Sequence, residues 1–124
     1  MKLLLVLLLF SYLGDAVGHE MTPTYPTFEP SHVTGVFKAE MEMFNKRKDV
    51  EYYEIGVFDE NWEPVPFVSS YRVMRLKYLS HVRFAVYVGS NDVAAAEYVC
   101  SVSKLRENSD KKPMVATRIC SRFK

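Results

Sequence analysis

The spacing of hydrophobic residues changes near residue 48, and this change separates two predicted kinds of secondary structure. In the first part, apolar residues recur at intervals of four, four and three positions: Val33, Phe37, Met41 and Phe44. This spacing places them on one side of an amphipathic helix, and Ser31 belongs to a residue type that favours the N-cap position. We therefore predict one helix over about residues 32–47 that buries this side.

Beyond residue 48, segments rich in β-branched and aromatic residues are separated by turn-forming residues, which is typical of β-strands. The predicted strand segments are residues 50–58, 71–79, 82–88, 96–105 and 114–120. In the second segment one face carries Met74, Leu76 and Tyr78, and the other carries Val73, Arg75 and Lys77. In the third segment one face carries Val82, Phe84, Val86 and Val88. The order of elements predicts an α+β fold with one N-terminal helix packed across a four- to five-stranded antiparallel sheet.

The N-terminus has the pattern of a secretory signal peptide. Lys2 precedes a leucine-rich run, and Ala16 and Gly18 provide small residues before a cleavage site at His19. The apolar run is shorter than the roughly 20 residues that span a bilayer. We therefore expect secretion to the extracellular space, and no membrane as a partner. The predicted organisation is a signal peptide, a flexible N-terminal arm and a single domain: residues 1–18, 19–30 and 31–124.

The formal net charge of +1 argues against nucleic acid as a partner, because phosphate binding needs a clustered basic surface. Ser80 and His81 are neighbours on a predicted strand, so their side chains point to opposite faces and form no Ser-His pair. The carboxylates of Asp59 and Glu60 have no surrounding motif. With no nucleotide, hydrolase or metalloprotease motif, we predict no enzymatic activity, no cofactor and no metal site.

Export changes the interpretation of the two cysteines, Cys100 and Cys120. In an oxidising compartment the simplest outcome is one disulfide between them, and the alternatives are two free buried thiols or an intermolecular bridge. If the two cysteines pair in an antiparallel hairpin, Ser101 lies opposite Ile119, and Arg118 shares the face of the cysteines. Closing a loop of this length stabilises by roughly 3 kcal/mol on the chain-entropy model.

Order and spacing resemble those of a secreted cystatin over residues 31–48 and 71–120. "MFNK" is similar to the helix end of cystatins, and "RVMRLKYLSHVRFAVYV" resembles their second and third strands. "YVCSVSKL" and "ATRIC", with nineteen residues between the cysteines, resemble their C-terminal hairpin and its disulfide. The resemblance implies a cystatin-like fold and reversible inhibition of papain-like cysteine proteases by a wedge inserted into the active-site cleft.

The resemblance implies these protease-contact candidates: Leu79, Ser80, His81, Val82, Asn108, Ser109 and Asp110. Neither the Gln-x-Val-x-Gly motif nor the Pro-Trp motif of inhibitory cystatins is present at these positions. The alternative is therefore a non-inhibitory secreted protein that binds another extracellular protein or self-associates. Trp62 lies in an extra segment, residues 49–70, and is either a displaced anchor or a partly buried loop residue.

Overall fold

The computed structural model describes residues 18–104 and 116–124, and within these ranges the regular secondary structure consists of β-strands alone. The strands are β1 (His19–Thr22), β2 (Glu29–Pro30), β3 (Val36–Asn45), β4 (Tyr52–Phe58), β5 (Val68–Ser69), β6 (Val73–Arg75), β7 (His81–Gly89), β8 (Tyr98–Lys104) and β9 (Arg118–Arg122).

The strands form two antiparallel sheets that share one hydrophobic core. The first sheet has the order β1-β3-β7-β5, with β2 also paired to β3, and the second has the order β6-β4-β8-β9. Buried residues of both sheets make up one cluster, which includes Met41, Met43, Val86, Tyr53, Val57 and Val99. The fold is therefore a β-sandwich, whose connecting loops lie at its two ends.

The predicted helix over residues 32–47 is wrong, and so is the α+β fold that depended on it. Most of this segment is β3, which pairs with β7 along one edge and with β1 and β2 along the other. Its burial follows a period of two, because Met41 and Met43 are buried while Glu40 is exposed. Methionine, glutamate and lysine favour helices locally, but hydrogen bonding to strands on both edges outweighs that preference.

The predicted faces of two strand segments are confirmed except at Tyr78, which was placed with Met74 and Leu76 but is exposed beyond the end of β6. Met74 and Leu76 are buried while the residues between and beside them are exposed, and Phe84 and Val86 point into the core from β7. A period of two identified these strands because their polar positions carry charged side chains, for which exposure is strongly favoured.

The predicted register of the C-terminal hairpin is also confirmed. Cys100 lies opposite Cys120 and Ser101 opposite Ile119, and the cysteines form the disulfide with Cα atoms 4.1 Å apart. This spacing fits a pair of facing residues that exchange no backbone hydrogen bonds. The predicted pairing of Leu105 with Val115 lies outside the described residues.

The segment predicted as an N-terminal arm, residues 19–30, contains β1 and β2. Both strands pair with β3, with His19 opposite Asn45 and Glu29 opposite Lys38. The pairing of His19 brings the start of β1 to the same end of the sandwich as the loop that precedes β7.

Candidate binding site

The connection between β6 and β7 ends in a tight turn over residues 77–80. The Ser80 amide donates a hydrogen bond to the Lys77 carbonyl oxygen at 3.1 Å, which closes the turn. Leu79 occupies its third position with a φ of 59°. Glycine usually fills that position in turns of this kind, because a side chain is strained at positive φ. We call Tyr78 and Leu79 the tip.

The tip exposes two large apolar side chains beside lysines. Tyr78 is 42% exposed and Leu79 is 56% exposed. The Lys48 ammonium lies 5.3 Å from the centre of the Tyr78 ring, a cation–π distance, and Lys77 is exposed within the turn. The surface thus combines an apolar centre with positive charge at its rim.

A buried asparagine holds the tip in place. Asn45 is fully buried at the end of β3, and its carbonyl oxygen accepts a hydrogen bond from the Leu79 amide at 2.7 Å. Its amide donates to the Ser80 carbonyl oxygen at 3.1 Å, and its side-chain Nδ2 donates to the Leu76 carbonyl oxygen at 2.8 Å. One residue therefore fixes the turn at three points.

The Asn45 side chain is itself fully hydrogen-bonded. Its Nδ2 also donates to the Val50 carbonyl oxygen at 2.8 Å, and its Oδ1 accepts from the Arg47 amide at 2.8 Å and the Tyr53 hydroxyl at 2.6 Å. Burial raises the pKa of Tyr53 to about 12, so its hydroxyl keeps the proton that it donates. Because every polar atom of the side chain has a partner, burial of Asn45 gives rigidity without an unpaired group.

A second polar cluster joins the two sheets beneath this end of the sandwich. His19 Nε2 lies 2.8 Å from Ser101 Oγ, and His19 Nδ1 lies 3.2 Å from Thr117 Oγ1. Arg47 donates from its Nη1 to Thr117 Oγ1 at 3.3 Å and forms a two-point ion pair with Asp49. The Arg47 guanidinium holds the pKa of Asp49 below its usual range.

Burial lowers the pKa of His19 to about 4, and the nearby positive charge of Arg47 acts in the same direction. A neutral imidazole has one donor and one acceptor nitrogen. Each ring nitrogen faces one hydroxyl, so the neutral ring donates to one hydroxyl and accepts from the other. A second ring proton would remove the acceptor and place another cation beside Arg47.

Ser101 and His19 have the spacing of a nucleophile and a base, but they lie in the core. Ser101 is fully buried and His19 is 4% exposed. The other ring nitrogen faces Thr117, where a Ser-His-Asp triad has a carboxylate. A substrate carbonyl cannot reach this hydroxyl in the folded sandwich, so the pair serves to connect β1 to the second sheet.

The opposite end of the sandwich carries an aromatic stack over the disulfide. The Trp62 ring lies flat on the Tyr98 ring at 4.2 Å, and the Arg118 guanidinium lies 4.6 Å from the Trp62 ring and 4.9 Å from the Phe58 ring. Arg118 Nη2 is 3.9 Å from Cys100 Sγ, as expected for residues on one face of the hairpin. Trp62 is 47% exposed and its φ is 63°.

The structure separates the predicted contact residues. Leu79 is at the tip and Ser80 closes the turn, whereas His81 begins β7, stacks on the Phe44 ring and pairs with Glu42 at 3.2 Å. Val82 packs against the core and does not share their surface. Asn108, Ser109 and Asp110 lie outside the described residues.

Several residues that position the tip were not found from the sequence. Asn45 and Tyr53 carried no motif, although Asn45 continues the alternation Ala39, Met41, Met43 and is therefore an inward position of a strand. A polar residue at an inward position is the signal that would have found it. For His19, the sequence provides no comparable signal.

Among residues 18–104 and 116–124, no three His, Cys, Asp or Glu side chains come together as metal ligands. Across the same residues there is no helix that is long and apolar enough to cross a membrane. The surface features of the described chain are therefore the tip, the aromatic stack and two open grooves.

The sheets define the class of fold. The strands β1, β3 and β7 face β4, β8 and β9, which is the arrangement of the A-B-E and C-F-G strands in immunoglobulin-like sandwiches. The disulfide joins neighbouring strands of one sheet, whereas antibody domains link the two sheets.

Comparison with known proteins assigns no family to the chain. No family model matches, and no curated protein matches. Among solved structures, a FixG-related protein from Vibrio parahaemolyticus aligns over 87% of this chain and 96% of its own, with 14% identity and a TM-score of 0.49. That degree of similarity supports no inference about function, so function is argued from the surface of this chain alone.

Proposed function

We propose that the chain is an exported binding protein whose recognition element is the Tyr78–Leu79 tip. The observation that carries the proposal is a large apolar residue held at positive φ with more than half of its side chain exposed. Left-handed backbone costs a residue other than glycine roughly 1–2 kcal/mol. Strain of this kind concentrates at binding sites, where the surrounding structure maintains it.

The Asn45 hydrogen bonds favour recognition by a fixed surface. Two backbone hydrogen bonds and one side-chain hydrogen bond of Asn45 hold the turn, so Leu79 and Tyr78 lose little conformational freedom on binding. Preorganisation of this kind increases affinity because less ordering entropy opposes association. Tyrosine is also among the residues that most often dominate binding energy.

The chemistry of the tip defines the kind of partner. Two apolar side chains require an apolar pocket, and Lys48 and Lys77 at the rim favour carboxylates around it. Complementary charge at the rim mainly accelerates association and selects the partner, while burial of the apolar centre supplies affinity. We therefore propose a protein partner with an apolar pocket edged by acidic residues.

The disulfide supports the proposal of an exported protein. Cys100 and Cys120 are bonded to each other, which is usual in secreted proteins and rare in the cytosol. Together with the predicted signal peptide over residues 1–18, this favours a partner outside the cytoplasm.

Inhibition of papain-like cysteine proteases stays a prediction. The resemblance that implied it included a helix packed across one sheet, and β3 occupies that segment. Titration of papain with the purified protein tests it directly, and absence of inhibition at micromolar protein removes it.

Site-specific photo-crosslinking tests the binding function. A photoreactive phenylalanine analogue replaces Tyr78 in one variant and Tyr25 in a matched variant, because both tyrosines are exposed. Each variant is irradiated with the extracellular proteins of the producing cells, and crosslinked partners are identified by mass spectrometry. We expect a partner to crosslink at position 78 and not at position 25.

The crosslink must also depend on Leu79 and be reproduced with purified components. The substitution Leu79→Gly in the position-78 variant should reduce crosslinking at least about tenfold, because it removes the apolar side chain while keeping the backbone conformation. Equal crosslinking at positions 78 and 25, or none at position 78, contradicts the proposal.

A further inference from the structure

We infer that the partner of the tip is a second copy of this chain, which receives the tip in an apolar groove at the opposite end of the sandwich. This inference rests on the function proposed above and names the partner. The groove has a volume of about 400 Å³ and is lined mainly by apolar side chains: Val33, Pro66, Phe67, Val68 and Tyr87.

The tip and the groove lie at opposite ends of β3. The tip is bonded to Asn45, the last residue of β3, whereas Val36, its first residue, lines the groove. Ten residues of extended strand separate them by roughly 30 Å. One molecule therefore cannot place its own tip in its own groove, so a contact between tip and groove joins two copies.

The groove has the apolar exposure that the tip requires. Val68 is 68% exposed on the short edge strand β5, and Val33 is 51% exposed in the turn before β3. Burying Leu79 against these two valines removes three exposed apolar side chains from water. This burial favours association, which must also offset the entropy that two molecules lose when they bind.

The two ends carry opposite excess charge, which favours head-to-tail contact. At the tip end the basic residues outnumber the carboxylates. The basic residues are Lys46, Arg47, Lys48, Arg75, Lys77 and Lys104. Four of these basic residues form ion pairs: Lys46 with Glu20, Arg47 with Asp49, Arg75 with Glu51 and Lys104 with Glu54.

At the groove end the carboxylates are Asp59, Glu60, Glu63, Asp92 and Glu97, of which Glu97 pairs with Arg122. The Arg118 guanidinium lies at the same end against Trp62. Asp92 lines the groove itself. One cation is close by, because the Arg72 guanidinium lies 4.8 Å from the Phe67 ring. We therefore expect the lysines of a docked tip to lie on the Asp92 side.

The geometry sets the form of the assembly. A tip that enters a groove at the other end makes a heterologous contact. In a chain of such contacts, one terminal molecule keeps a free tip and the other keeps a free groove. Unless the rotation between copies closes a ring, the oligomers grow longer as the protein concentration rises.

Sedimentation velocity across a concentration series up to the millimolar range tests the inference with four proteins: the wild type, Leu79→Gly, Val68→Lys and the control Val73→Lys. Val68 and Val73 are both exposed valines on short edge strands, and only Val68 lines the groove. We expect the wild type and Val73→Lys to associate with rising concentration and to dissociate at high salt. Leu79→Gly and Val68→Lys, each measured separately, should associate at least about tenfold more weakly and stay monomeric where the wild type associates.

A mixture of Leu79→Gly and Val68→Lys is the decisive sample. The first variant keeps its groove and the second keeps its tip, so the mixture should form a one-to-one dimer and nothing larger. Circular dichroism spectra and unfolding curves establish that each variant is folded. A wild type that stays monomeric at every concentration, or a mixture that does not associate, overturns the inference.

These outcomes separate the inference from the proposed function. If the wild type is monomeric but position 78 crosslinks to a different protein, the head-to-tail contact is rejected and the binding function stands. If the wild type is monomeric and nothing crosslinks at position 78, both are rejected.

Discussion

The Leu79 amide donates a 2.7 Å hydrogen bond to the carbonyl oxygen of Asn45, which joins an exposed and strained residue to one that is fully buried. The buried partner is fixed in turn by Tyr53 and by backbone groups of neighbouring loops. The conformation of the surface turn is therefore determined by the interior of the protein. Substitutions in the interior should change the tip without touching its side chains.

The substitution Asn45→Ala should lower the free energy of unfolding by about 3–4 kcal/mol, because it leaves several buried polar groups without partners. The matched substitution Tyr53→Phe removes only one hydrogen bond to Asn45 and should cost about 1–2 kcal/mol. Urea unfolding followed by circular dichroism measures both. Equal losses for the two variants would contradict the role given to Asn45.

The substitution Leu79→Gly should leave stability unchanged or raise it by up to about 1 kcal/mol. Glycine relieves the strain of a positive φ, which roughly offsets the greater flexibility that it gives the unfolded chain. Because the side chain is mostly exposed, little packing is lost. Thermal unfolding measures the effect, and a loss above about 2 kcal/mol would show that the Leu79 side chain stabilises the fold.

Stability should fall as pH decreases from 6.5 to about 4, because of His19. Its pKa is about 4 in the folded protein and 6.5 in the unfolded chain, so the unfolded state takes up a proton first. The part of the free energy of unfolding that depends on neutral His19 is fully present above pH 6.5 and is lost as pH falls toward 4. It amounts to at most about 3 kcal/mol. Urea unfolding at a series of pH values measures this dependence.

The variant His19→Gln provides the comparison for that pH series, because glutamine keeps hydrogen-bonding groups near Ser101 and Thr117 but does not titrate. The wild type should lose stability relative to the variant between pH 6.5 and 4. Parallel curves for the two proteins would show that His19 does not control the dependence.

Replacing Cys100 and Cys120 together by serine should lower the free energy of unfolding by roughly 3 kcal/mol, given their separation of 20 residues. Urea unfolding measures the loss. In the wild type, thiol titration under denaturing conditions should detect no free thiol until a reductant is added. Free thiols before reduction would contradict the intramolecular bond.

The sequence was most informative where charge enforces the period of a strand. Arg75 and Lys77 flank Leu76, so only one face of this segment can be buried, and the burial of Leu76 was predicted. The hairpin register followed from Cys100 and Cys120, because two facing cysteines fix every other pair. Local residue types were sufficient in both cases.

Residues 36–45 could not be assigned in the same way. Their apolar residues fit a helical spacing as well as an alternating one, and the choice depends on partner strands distant in sequence, chiefly β7. The cystatin-like fold that the resemblance implied included that helix and is wrong, while the resemblance of the other segments stays untested. Leu79 was predicted as a contact residue only through this resemblance, and Tyr78 was not predicted. The bond from Leu79 to Asn45, which holds the tip, has no local sequence signal.

Amide hydrogen exchange at Leu79 is the most direct test of the central claim, that the interior holds an exposed tip in one conformation. We predict that the Leu79 amide exchanges at least about a hundredfold more slowly than in an unstructured peptide, although its side chain is in solvent. Asn45→Ala keeps the backbone carbonyl that accepts this bond but removes the side-chain bond to the Leu76 carbonyl, so the protection should fall at least about tenfold while amides in the centre of β3 keep theirs. Exchange of the wild-type Leu79 amide at the unstructured rate would contradict the claim.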